Sequence, residues 1–173
     1  PISVVSATEI GQVFAALTRM QARLRERITE DKRIADEALR INRALDNATT
    51  AVLITDNQYE VIYLNEAAKH LFKDEESKIR TDLPQFRAEL LLGHNVDFFH
   101  KNPASQRELL GQLTSSRRAK VTVGGVVLDH VITPVINDDG ERLGMVIEFT
   151  NRTVEVATEQ EINAVTQAAS QGD

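Results

Sequence analysis

Four histidines and no cysteine leave imidazole as the nitrogen ligand through which this 173-residue chain could hold a metal. His100 sits in DFFHKNP, directly after Phe98 and Phe99 and three residues before Pro103. An imidazole there can cap the helix that Pro103 opens, bond a backbone carbonyl, or offer a lone pair to a metal. The residue by itself leaves all three open. His130 sits in VVLDHVITP, where strand alternation puts Val126, Leu128, His130 and Ile132 on one face and Val127, Asp129, Val131 and Thr133 on the other. A histidine sharing a face with three aliphatics is either a satisfied core residue or a polar group turned into a pocket. His70 reads as an exposed or half-buried helix-face residue, and His94, after Gly93, as a helix-end residue. Neither has the partner spacing of a metal site.

Other chemistries find no support. There is no phosphate-binding loop, no dinucleotide glycine fingerprint and no nucleophile elbow, so the chain is not read as an enzyme. Gly124-Gly125 is a hairpin turn, and the acid cluster Asp74 to Lys78 reads as a solvated loop. A net charge of −6 argues against nucleic acid as a partner, because a duplex binder needs a basic surface to displace counterions. The absence of cysteine removes disulfides, zinc knuckles and cysteinyl photochemistry, and fits a reducing compartment. With no apolar run long enough to span a bilayer and no signal-peptide pattern, a cytoplasmic location is expected.

The elements that must position these residues follow from periodicity. Ile10, Val13, Leu17, Met20, Leu24, Ile34, Ala38, Ile41 and Leu45 step by three and four, a coiled-coil seam pointing to a parallel homodimer. Extended through its gap, the seam lands on Arg27 and Asp31, so the packing is expected to re-phase there. AVLITD and YEVIYLN read as a hairpin, Asn65 caps a short helix in EAAKHLF, and KDEESKIRTDLPQF reads as short helical turns and loops. A helix is expected near Arg87 to Leu92, and another from Ala104 to Ser115 after Pro103. Three strands close the region, RAKVTVGG, VVLDHVITPVI and RLGMVIEFT, joined by Gly124-Gly125 and by NDDG. Two strands, short helices and three antiparallel strands make an α+β plan. Helical periodicity returns after Thr153 through Thr158, Ile162, Val165 and Ala169.

Taken together, these stretches resemble a known family. ATEIGQVFAALTRMQ resembles the second helix of a HAMP signal converter. ALDNATTAVLITDN, YLNEAA, FHKNP, TPVINDDGERLG and NRT resemble PAS domains, in particular the heme-binding PAS domains of soluble aerotaxis-type methyl-accepting chemotaxis transducers. AASQGD resembles the entry to a further HAMP unit. The resemblance implies a five-stranded antiparallel sheet, helices on one face, and a heme b pocket between them sensing oxygen or another diatomic gas. It implies His100 as proximal axial ligand, with Phe98 and Phe99 beside it. Phe149 falls where heme members place a tryptophan that donates to the gas, and His130 where they place an aliphatic residue. His130 then stands as a possible distal ligand or hydrogen-bond donor. Ser105 replaces a second histidine, and Asn151 replaces the aspartate of the D-x-T motif, so Asn151, Arg152 and Thr153 are expected to couple sheet to exit helix.

The expected organisation is a HAMP-derived signalling coiled coil over 1–43, a PAS sensor over 44–153 and an exit helix over 154–173 leading to downstream signalling domains. A heme-free small-molecule binder or relay spacer, or the sensor half of a histidine kinase or cyclase, are the competing readings.

Overall fold

The computed structural model describes residues 7–100 and 102–171. The chain divides into two compact units between Ala44 and Leu45. The first is carried by α1 (Ala7–Asp46), whose last two residues enter the second unit. α1 runs through Arg27 and Asp31 without interruption, and Arg33 bonds both Glu30 and Glu37 on its surface. Its seam residues, from Ile10 through Leu24 and then Ile34 and Ile41, are exposed in the single chain. Among the described residues, no helix is long and apolar enough to cross a membrane.

The second unit is built on a five-stranded antiparallel sheet ordered β2-β1-β5-β4-β3, with β1 Ala51–Thr55, β2 Val61–Leu64, β3 Arg117–Val123, β4 Val126–Ile136 and β5 Arg142–Asn151. The chain is thus α+β as its sequence indicates. Between β2 and β3 lie α2 (Glu66–Asp82), two 3-10 turns (Ala88–Leu90 and Val96–Phe99) and α3 (Pro103–Gly111). These pack on one face of the sheet around Leu53, Val61, Phe72, Ile79, Val126, Leu128, Met145 and Ile147. α4 (Thr153–Gln171) follows β5 after a single residue.

Asn65 joins three of these elements. It is fully buried, and each hydrogen-bonding position of its amide is used. Oδ1 accepts from Val52 N and Ala68 N, each at 2.9 Å, so it both caps α2 and holds β1. Nδ2 donates to the carbonyls of Leu45 (3.0 Å) and Thr50 (2.8 Å), fixing the end of α1 to the sheet. A buried amide is tolerated here because it leaves no donor or acceptor unmade.

Three element readings are corrected. KDEESKIRTD is not a set of short helical turns and loops: α2 continues through it unbroken to Asp82, and the cluster Asp74 to Lys78 is helical surface rather than loop. Lys and Glu are good helix formers, the pairs Glu66–Lys69 and Glu75–Lys78 lie one turn apart, and Ile79 anchors the second half in the core. The expected helix at Arg87 to Leu92 shrinks to one 3-10 turn, and α3 ends at Gly111 rather than Ser115. Gly124-Gly125 does form the β3–β4 turn, and it docks on α2: Gly124 N donates to Asp82 Oδ2 at 3.0 Å. A Cβ at Gly124 would sit 1.7 Å from the Lys78 carbonyl oxygen, so the close approach requires glycine.

Candidate functional site: a cavity between the sheet and the short helices

A cavity of about 390 Å³ opens between the sheet and the helical layer, within the ~300–1,000 Å³ of small-molecule sites. Its walls are mainly apolar, with Leu53, Leu128, Ile132 and Ile147 from the sheet and Phe72, Ile79, Phe86 and Leu91 from the helical side. Polar groups are few: His100, Asn102, Ser105, Gln106, Thr122 and His130. Asn102, Ser105, Val121 and Thr122 are exposed as well as lining, which places the mouth between the start of α3 and β3.

His100 follows the second 3-10 turn. Its Nδ1 lies 2.6 Å from the Val96 carbonyl oxygen. A carbonyl only accepts, so Nδ1 carries the ring proton and the neutral imidazole keeps its lone pair on Nε2. A histidine orienting a metal is set up in this way, with the far nitrogen donating to a backbone carbonyl. The turn itself is latched from outside. Arg107 on α3 reaches Asp97 through Nε (2.6 Å) and Nη2 (2.5 Å) and lies over the Tyr59 ring at 5.6 Å. Tyr59 holds a φ of 65°, which a bulky side chain adopts only when its surroundings require it. Its carbonyl accepts from Val96 N at 2.9 Å.

His130 enters from the sheet. Alternation on β4 is as expected, with Leu128, His130 and Ile132 all on the cavity wall. Phe149 lies opposite His130 in register on β5, with ring centroids 5.9 Å apart and the planes inclined by 36°. Phe72 meets Phe149 edge-on at 5.1 Å, so that ring is held from two sides. His130 Nδ1 is buried without a hydrogen-bond partner. Burial, and then repulsion from the His100 ring when that ring carries charge, hold His130 below the ordinary histidine range; the Leu128 backbone and the Asp129 carboxylate pull the other way. At Nδ1 neither opposing group stands in hydrogen-bonding geometry, and a misaligned N–H contact weakens steeply.

Phe99 lines the cavity and meets Phe86 edge-on at 5.6 Å, but Phe98, grouped with it from sequence, does not. Phe98 is 45% exposed, against His94 and the edge of Phe99. In a 3-10 turn consecutive side chains point a third of a turn apart, so two neighbouring aromatics cannot share one wall. His70 and His94 are both exposed, and among the described residues no group of three or more His, Cys, Asp or Glu could hold a metal ion.

Asn151, Arg152 and Thr153 form the β5–α4 junction. Asn151 Oδ1 accepts from Thr153 N (3.0 Å) and Thr153 Oγ1 (2.5 Å), while Thr153 Oγ1 in turn accepts from Val127 N at 3.0 Å. Arg152 N donates to the Val127 carbonyl at 2.8 Å. The junction is thus sewn to β4. Asparagine keeps the turn-closing acceptor that an aspartate would supply. Sequence reasoning missed Val96, Arg107 with Asp97, and Glu75, which Asn151 Nδ2 reaches at 3.0 Å. Their separations of 4, 10 and 76 residues carry no periodic signal except the first.

A PAS-domain family model matches residues 39–103. Methyl-accepting chemotaxis protein McpB of Pseudomonas aeruginosa is 40% identical over 166 residues, which cover 94% of this chain and 24% of that protein. The chain therefore spans less than a quarter of that relative's length. Among solved structures, the Aer2 receptor from Vibrio cholerae, a dual PAS-heme oxygen sensor, is 26% identical with a TM-score of 0.51, covering 59% of this chain and 93% of that one. An RNA-binding light-oxygen-voltage receptor is 16% identical with a TM-score of 0.50, covering 73% of this chain and 36% of that one, and shows the fold alone.

Proposed function

Because the chain belongs to the PAS-domain family and is similar in sequence to a methyl-accepting chemotaxis protein, we propose that it is the sensory module of a chemotaxis transducer. In this reading its cavity binds heme b through His100 and senses oxygen or another diatomic gas. The observation that carries the proposal is the Nδ1 bond of His100 to Val96, which frees Nε2 as an axial ligand beside an apolar cavity. Heme supplies the iron centre that binds the gas, and its ligation and pocket polarity set that affinity. Asn102, Ser105 and Gln106 at the mouth offer neutral donors to its carboxylates.

His130 takes the complementary part. Its Nδ1 has no acceptor, and a buried N–H without an acceptor is rarer and more costly than an unused lone pair. The ring proton therefore belongs on Nε2. In that form His130 can donate a hydrogen bond to a cavity ligand, which Phe149 cannot. Signal then passes from β5 through Asn151, Arg152 and Thr153 to α4, and a homodimer formed along the α1 seam, with HAMP-like flanks, carries it to downstream domains.

The test is the absorption spectrum of the protein purified after expression with heme supply. A Soret band that shifts when carbon monoxide is added to the reduced protein is expected. A featureless spectrum, with hemin failing to bind on titration, overturns the heme reading. It would leave a heme-free domain that binds a small molecule or acts as a relay spacer.

A further inference from the structure

The amide of Asn151 faces two ways. Oδ1 closes the turn into α4, as described, while Nδ2 donates to Glu75 Oε1 on α2 at 3.0 Å. Glu75 lies three residues after Phe72 and four before Ile79, and both of those line the cavity. Positions three and four apart share a helix face, so the carboxylate belongs to the wall of α2 that faces the sheet. Its side chain is 15% exposed, and its second oxygen accepts from Lys78 Nζ at 2.7 Å. Two further bonds of the junction run to Val127 on β4. The amide nitrogen thus ties the junction to the helical layer. An aspartate at 151 would keep the turn but lose this donor, and would set a second carboxylate against Glu75.

We infer that the Glu75–Asn151 hydrogen bond is a positioning link by which displacement of α2, at the cavity wall, is passed to the first turn of α4. Phe72 and Phe149 make a second, apolar route from α2 to β5, but one that bears on the strand rather than on the turn. The link rests on the sensory reading only for what moves α2. A ligand shifts the arrangement only to the extent that it binds its two forms unequally.

Hydrogen exchange of the whole chain tests it. Wild type is compared with Asn151→Asp, with Glu75→Gln, and with the double variant, in which amide and carboxylate change places. Each is measured alone and combined with Ile79→Val, a small change at the cavity wall that needs no ligand. In wild type, Ile79→Val alters exchange at Val156 and Ala157 in α4. With Asn151→Asp, exchange there rises about tenfold, the scale of a hydrogen bond to a charged acceptor, and ceases to respond to Ile79→Val. The double variant regains both the protection and the response. A response that persists in Asn151→Asp, a double variant that regains neither, or an equal rise across β4 and β5 overturns the link. Because this arm uses no heme, its failure is distinguishable from failure of heme to bind.

Discussion

The two histidines meet one cavity with opposite ring chemistry, and each makes its own prediction. Val96 fixes the His100 proton on Nδ1, whereas nothing accepts from Nδ1 of His130. With heme bound, His130→Leu removes the donor and speeds gas dissociation about tenfold or more, read by stopped-flow. An unchanged rate would assign His130 to the core. His130 also bears on stability without any ligand. Burial holds its native pKa below the ordinary 6.5, so the unfolded chain takes up a proton first as pH falls. Stability is unaffected well above that value and declines as pH drops from about 6.5 through the lower native value. Denaturant midpoints at about pH 7.5 and about pH 5.5 should therefore converge in His130→Leu relative to wild type. At this scale the sequence was legible where strand alternation ruled, as at His130 and Phe149. It was opaque where a bond joins positions with no periodic relation, as between Asn151 and Glu75 or Arg107 and Asp97.

Elements are held by a few residues that satisfy several at once. Replacing Asn65 with alanine removes the α2 cap and leaves Val52 N without its acceptor in the core, so it costs about 2–4 kcal/mol. The expected readout is a thermal midpoint lower by several degrees, with the cavity ligand still bound at low temperature. Gly124→Ala tests the seating of the β3–β4 turn on α2. A positive φ of 57° and a Cβ 1.7 Å from the Lys78 oxygen predict a loss of at least ~2 kcal/mol. Asparagine as a cap and paired glycines as a turn were readable in the sequence because each answers a local backbone demand. The second half of α2 was not, because its polar composition hides a single buried anchor, Ile79, behind residues that look like loop. Nor could two adjacent phenylalanines be assigned to different sides until the 3-10 turn was known.

At the scale of the whole molecule, the order of strands and helices and the α+β class follow from the changes of period along the chain. The five-strand order itself depends on β1 pairing β5 across the sequence, which no local pattern states and the family resemblance supplied. The exposed α1 seam and its break at Arg27 and Asp31 belong to the proposed dimer. Replacing both with leucine should tighten dimerisation by about tenfold or more, since each buried leucine contributes roughly 1.5–3 kcal/mol, and should hold signalling output in one state. Sedimentation equilibrium reads the first effect. The proposed function requires that occupation of the cavity rearrange the exit helices. A chain without cysteine permits a single spin label, through Gln160→Cys on the exposed surface of α4. Distances between labels in the dimer, with heme loaded, should shift when carbon monoxide saturates the reduced protein and should stay fixed in His100→Ala. An unchanged distance distribution in the wild-type background would contradict the account.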